Sequence, residues 1–194
     1  MALTFAVSAR AGEPIEQVKG TTDEILSILN DPVLKDPAKA ETRRKMVWDA
    51  VDKRFDWEEL ARRSMGPHWT KMSAEEKKEF IGLYAFLLRR TYLHRVDEYS
   101  GEKVRYEQER IDGDYASVQV RIMTAKGREI PAVYRLRRRG PEWRVYDIHV
   151  EGISLVNNYR AQFNSILVKS SMEELFKILR KKVAEESSNK GLGI

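Results

Sequence analysis

Apolar positions follow a helical period through the first half of the chain, a twofold period from about residue 103, and a helical period again after residue 153. Ile15, Val18, Thr22, Ile25 and Leu29 predict an amphipathic helix ending near Asn30, with Asp31-Pro32 and Asp36-Pro37 as the breakers behind it. Ala40, Val47 and Val51 mark a second helix with a charged outer side. Asp56 with Glu59 three residues on reads as a capping box for a short third helix, stopped by Met65-Gly66-Pro67. Ser73 with Glu76 is a second capping box. It opens a long helix carrying Phe80, Leu83, Tyr84, Leu87, Leu88 and Thr91 on one side and ending near Tyr99-Ser100-Gly101.

The twofold stretch reads as four strands. Val104 and Tyr106 alternate with Lys103, Arg105 and Glu107; Ala116, Val118, Val120 and Ile122 alternate with Ser117, Gln119 and Arg121. Ile130, Ala132, Tyr134 and Leu136 follow, and a fourth strand runs from Trp143 to Val150. Asp112-Gly113-Asp114, Lys126-Gly127 and Gly140-Pro141 supply the turns, and such short links make antiparallel neighbours. Two more helices are expected, one over about 154–167 aligned on Val156, Tyr159, Phe163 and Ile166. The other starts near Ser170-Ser171 and buries Met172, Leu175, Phe176, Leu179 and Val183.

Helices, a meander, then helices make an α+β domain: a four-stranded antiparallel sheet packed against about six helices. In simple hairpin registers, Val118, Val120, Ile122, Ala132, Tyr134, Leu136, Tyr146, Ile148 and Val150 share one apolar face. Arg105, Arg121, Arg135 and Arg137 share the other, with Arg138 and Arg139 at the adjoining turn. Periodicity does not distinguish a filled core from one that keeps a hollow. Residues 12–186 read as one domain and 187–194 as a polar, disordered tail. Residues 1–11, with Ala9-Arg10-Ala11 after a short apolar run, read as the remnant of a cleaved secretory leader or a frayed tail.

Composition narrows the function classes. In 194 residues, 42% are hydrophobic and 34% charged, as in a water-soluble globular domain large enough for a real core. The net charge of +5 favours anionic partners or simply solubility. Basic and acidic residues are intermingled and no nucleic-acid motif is present, so nucleic acid is not an expected partner. The absence of cysteine removes disulfides, thiol catalysis and Cys-ligated zinc.

Catalytic chemistry is poorly represented. His68, His94 and His149 lack metal-ligand spacing, so no metal site is expected. Gly152-Ile153-Ser154-Leu155-Val156 lacks the second glycine of a nucleophile elbow, and Ser154 reads as a helix N-cap. Asp147 beside His149 is the one acid/base pair a cavity enzyme could use. No catalytic residue is assigned. A binding domain, a cavity enzyme and a filled-core adaptor stay open on the residues alone.

Three stretches carry a family resemblance: WRVYDIHVEGISLVNNYRAQFNSIL from Trp143 to Leu167; Phe55 to Arg63 with Met65-Gly66-Pro67-His68-Trp69; and the helix ending Leu87-Leu88-Arg89-Arg90-Thr91-Tyr92. Together they resemble the MlaC-type periplasmic phospholipid-binding proteins, also called the toluene-tolerance family, over roughly residues 12–183. The resemblance implies a curved sheet facing helices around a cone-shaped hollow, reminiscent of nuclear transport factor 2. Phospholipid acyl chains would lie there as cargo, with no cofactor. The apolar sheet face would line it with Tyr84, Leu87 and Leu88 from the long helix and Val156, Tyr159 and Phe163 from the next. Arg105, Arg121, Arg135 and Arg137 would meet head groups or partner proteins. Arg160, in the family's Asn-Tyr-Arg motif, would form an internal ion pair or lie near the pocket mouth. The implied partners are an inner-membrane ABC transporter with an MCE-domain subunit and an outer-membrane lipoprotein complex. The implied role is maintenance of outer-membrane lipid asymmetry by a monomeric periplasmic shuttle. Hopanoid-associated branches of the family remain an alternative.

Overall fold

The change of period in the sequence is the boundary between a helical layer and a sheet. In chain order the elements are α1 (Pro14–Asn30), α2 (Ala40–Arg54), α3 (Trp57–Met65) and α4 (Ala74–Asp97), then β1 (Lys103–Asp112), β2 (Tyr115–Met123), β3 (Glu129–Arg139), β4 (Glu142–Val150) and β5 (Ile153–Ser154), then α5 (Leu155–Lys169) and α6 (Met172–Asn189). Short 3-10 turns cover Pro37–Lys39 and Gly66–Lys71. The structure, a computed structural model, describes residues 13–189; the side chains of 93–95 and 186–189 fall outside the description. The expected leader remnant, 1–11, and the end of the expected tail, 190–194, lie outside the described residues, as does the His94 side chain. The last helix continues to Asn189, beyond the Ser187 at which the sequence suggested a tail.

Local chemistry sets the helix starts. Ser73 and Glu76 form a reciprocal box, Ser73 Oγ accepting from Glu76 N at 3.1 Å and Glu76 Oε2 from Ser73 N at 2.7 Å. Ser154 caps α5 through Asn157 N at 3.0 Å, and Ser171 caps α6 through Glu174 N at 3.2 Å. At α3 the expected box is half made. Asp56 accepts from Glu59 N at 3.1 Å, but Asp56 N is taken by Val145 O at 2.8 Å and the Glu59 carboxylate turns elsewhere.

The sheet is an antiparallel meander in the order β1-β2-β3-β4-β5. It matches the expected four strands with one addition: Ile153–Ser154 pairs with His149 and Val150 before α5 begins. Gly113 reaches φ +57° in the β1–β2 turn, a conformation that favours glycine. Two bulges break the simple registers, between Tyr106 and Gln108 on β1 and opposite Arg135–Leu136 on β4.

The β4 bulge corrects one expected facing. Arg135 pairs with Asp147 and Leu136 with Val145, so Tyr146 is the extra residue. Its ring stands edge-on to Tyr115, with centroids 6.1 Å apart, and under the Arg63 guanidinium at 4.1 Å. Tyr115 pairs with Arg137, so Tyr146 lies on the arginine face, not with Ile148 and Val150. Val145 and Trp143 take its place on the apolar face.

Buried residues fall into separate cores. One is wholly helical: Leu60, Ala61 and Met65 of α3, Phe80, Tyr84 and Leu88 of α4, Val156, Tyr159 and Phe163 of α5, and Leu175, Phe176 and Leu179 of α6, together with Met72. A second joins Val18 of α1 to the apolar sheet face through Ala116, Val118, Val120, Ala132, Leu136, Trp143 and Val145. A third, smaller one closes Ile28, Leu29, Leu34 and Val47 together. Phe55 packs against both larger cores, and its backbone bridges to Val145.

Candidate functional site

The fifteen apolar residues expected to line a single site divide by burial and by core. Tyr84, Leu88, Val156, Tyr159 and Phe163 are buried in the helical core, and Leu87 packs at its margin. Rings fill that core: Tyr84 stands edge-on to Tyr159 at 5.1 Å and to Phe163 at 5.2 Å. The Tyr84 hydroxyl meets Ser64 Oγ at 3.0 Å, and burial drives its phenol strongly upward, so it stays neutral. Val118, Val120, Ala132 and Leu136 are fully packed in the sheet core. The helix set and the sheet set therefore do not meet in one buried cluster, as the sequence had grouped them.

The remaining sheet residues behave differently. Ile122, Tyr134 and Ile148 pack against the sheet core yet are only half-buried, and Val150 is exposed at the end of β4. Burial pushes the Tyr134 phenol up to about 12. Tyr134 pairs with Val118 on one side and Ile148 on the other, on the apolar face that α1 covers through Ile15 and Val18. α1 is fixed there by Ile15 N donating to Glu109 Oε2 at 2.6 Å and by Gln17 bonding Trp143 N at 2.9 Å.

The arginines on the opposite face are in large part neutralised. Arg121 Nε donates to Glu107 at 2.7 Å and Nη1 lies 3.4 Å from Glu129; Arg105 reaches Glu107 at 3.1 Å and Glu129 at 3.8 Å. Arg137 donates to Glu59 at 3.2 Å. Glu59 is 2% exposed and also accepts from Arg62 and Arg63, each at 2.6 Å. Burial alone would raise its carboxyl, but the hydrogen bonds from Arg62 and Arg63 outweigh it and hold the group at about 2. Arg139 binds Asp56 at 2.7 Å.

Arg160 makes no ion pair among the described residues. Its Nε donates to the Arg63 carbonyl at 2.8 Å, and its side chain lies along Gly66. It closes an open carbonyl at the C-terminus of α3, where a cation is favoured.

Asp147 is occupied as well. Oδ2 accepts from Ser154 Oγ at 2.7 Å and lies 3.0 Å from His149 Nε2, and Oδ1 accepts from Val156 N at 3.0 Å. The carboxylate is a staple for the N-terminus of α5, on the arginine face of the sheet. Sequence reasoning missed this staple and the buried Glu59; the run Glu59, Arg62, Arg63 at i, i+3 and i+4 was the available signal for the latter. Among the described residues no group of acids and histidines is arranged to hold a metal, and no helix is long and apolar enough to cross a membrane.

With this geometry in hand, comparisons with known proteins point one way. The family model described as MlaC protein matches residues 19–181. The chain is 28% identical over 116 residues to the intermembrane phospholipid transport system binding protein MlaC of Haemophilus influenzae; the match takes in 57% of this chain and 54%, about half, of that protein. It is 24% identical over 163 residues to the toluene tolerance protein ttg2D of Pseudomonas putida, covering 81% of this chain and 74% of that one. Among solved structures, a phospholipid-binding protein from Ralstonia solanacearum in complex with a phospholipid shares the fold, with a TM-score of 0.79 at 23% identity over 90% of this chain and 98% of the other.

Proposed function

The chain belongs to the MlaC protein family, and from that premise we propose that it is a non-enzymatic carrier that holds phospholipid acyl chains against the apolar sheet face. The observation that carries this reading is the set of half-buried residues on that face, Tyr134 with its cross-strand partner Ile148, and Ile122 further along β2, beside the fully packed Val118 and Val120. Val150, at the exposed end of β4, forms the rim. The packed residues Val118, Val120, Ala132 and Leu136 form the layer that keeps this wall in shape.

The physics of the task explains why a carrier is needed. Two acyl chains hold on the order of 30 methylenes, and exposing them to water costs about 0.8 kcal/mol each, roughly 25 kcal/mol in all. Passing from a bilayer into an apolar hollow leaves the chains in similar surroundings, so the net change is small. The barrier falls when the carrier docks to donor or acceptor before the lipid leaves. The family premise and the names of the relatives support a periplasmic location. They also support partners of the kind expected, an inner-membrane ABC transporter with an MCE-domain subunit and an outer-membrane lipoprotein complex, in an exchange that maintains the lipid asymmetry of the outer membrane. A cavity enzyme is disfavoured because Asp147, its best acid, is committed to α5 on the other face.

Native mass spectrometry of protein purified without detergent tests the proposal, with chromatography of the extracted lipid. A mass increment matching phospholipid is expected. A bare polypeptide that also takes up no lipid from mixed vesicles would overturn it.

A further inference from the structure

The arginine face of the sheet holds a cleft of about 280 Å³ lined by Gln108, Arg110, Ser117, Gln119, Val133 and Arg135. Register explains its composition. Arg110, Ser117 and Arg135 lie in one cross-strand row over β1, β2 and β3, and Gln108, Gln119 and Val133 form the next row on the same face. The bulge between Tyr106 and Gln108 produces the second row by turning Gln108 to this side. Two arginines thus flank a hydroxyl, their backbones roughly 10 Å apart across two strand spacings. Two amides stand beside them and a valine joins the floor.

What sets these two arginines apart is the lack of a counter-ion. Arg105 and Arg121 are satisfied by Glu107 and Glu129, Arg137 by Glu59, and Arg139 by Asp56. Arg110 and Arg135 have no ion-pairing carboxylate among the described residues. The acids nearest in register are Asp112, two residues along β1, and Asp147, which pairs with Arg135 across β3 and β4 and already binds Ser154 and Val156. Unpaired guanidinia beside two amides offer donors of the kind that bind carboxylates.

We propose that this cleft is a docking site for an acidic segment of a partner protein, whose carboxylates are held by Arg110 and Arg135 with Ser117, Gln108 and Gln119 as further donors. A bilayer fits less well: the cleft is concave, and the charges around it are neutralised, so no broad positive plane faces outward. The cleft and the hollow lie on opposite faces of the sheet, so an occupant leaves the hollow unobstructed. The proposal does not rest on the lipid reading, and the phosphorus content of the same sample reports that reading separately.

The test is a titration of the full chain at low ionic strength with N-acetyl tetraglutamate amide, followed by NMR of the arginine Nε–Hε and backbone amide signals. Saturable shifts of Arg110, Arg135 and Ser117 are expected. Arg110→Ala with Arg135→Ala should weaken binding about fivefold to tenfold, and Arg121→Gln with Glu107→Gln, which removes an ion pair on the same face at constant net charge, should leave it unchanged. If the alanine pair fails to fold by circular dichroism, Arg110→Gln with Arg135→Gln takes its place. Absence of saturable shifts, or equal binding by the double variant, overturns the proposal. Inorganic phosphate binding as tightly as the peptide also overturns it, in favour of a simple oxyanion site. So does sedimentation with phosphatidylglycerol vesicles that the double variant loses, in favour of a membrane surface.

Discussion

Arg137 of β3 donates to the buried carboxylate of Glu59 on α3 at 3.2 Å, across 78 positions of sequence. This contact, with Arg62 and Arg63 on the same carboxylate, fastens the helical layer to the sheet. Glu59→Gln removes the charge at nearly constant shape and leaves three guanidinia without their counter-ion. A loss of about 3 kcal/mol at neutral pH is expected in urea unfolding. The folded carboxyl, held at about 2, lies below its ordinary value of 4.5. Its contribution is therefore complete above 4.5 and fades as pH falls from there toward 2. The stability gap between wild type and variant should close over that acid range, and a gap independent of pH would contradict the assignment.

Asp147→Asn should act on stability. The amide keeps one acceptor oxygen where the carboxylate serves Ser154 Oγ, Val156 N and His149. The start of α5 then loses charge-assisted bonds, and a cost of about 1–3 kcal/mol follows. Thermal unfolding measures it; an unchanged midpoint would show that α5 does not depend on this staple.

Ile148→Trp separates a hollow from a filled core. Next to Tyr134 and half-buried, position 148 has space in front of it if the sheet face borders a hollow. The larger ring should then cut bound phospholipid per protein severalfold with little loss of stability. Val118→Trp, fully packed on the same face beside Tyr134, should instead destabilise by about 1–3 kcal/mol. Lipid phosphorus and unfolding midpoints of both variants check the pair. Equal destabilisation would mean that both positions are core.

Gly66 adopts φ +54°, and a Cβ there would meet the Arg160 side chain at 3.7 Å, an ordinary contact. Gly66→Ala should thus cost about 1–3 kcal/mol through backbone strain alone. Arg160→Ala should cost about 1 kcal/mol through the lost bond to the Arg63 carbonyl. Denaturant titrations of both variants check this; phospholipid content preserved in Arg160→Ala supports a capping role, and its loss would favour a head-group role.

The alternation from Val104 to Leu136 was enough to read the meander and its apolar face, because one side of those strands is polar. It failed at Tyr146, in a strand apolar on both sides, where one extra residue leaves no trace in the pattern. The capping residues Ser73 and Ser154 were legible from local chemistry alone. Glu59 was not: the same sequence satisfies a capping box and an arginine clamp, and only the arrival of Arg137 from β3 decides between them. The distinction between Val120, fully packed, and Tyr134, half-buried, has no sequence signal, since both are apolar residues at the same parity. For the arginines, charge was visible but neutralisation was not. Glu107 and Glu129 come to Arg105 and Arg121 from other strands or across a bulge.

The position of Phe55, packed against both larger cores and bridged to Val145, has a mechanical consequence. A side chain shared by two cores couples them: a change of volume at position 55 is felt in both, and neither core can repack there without the other.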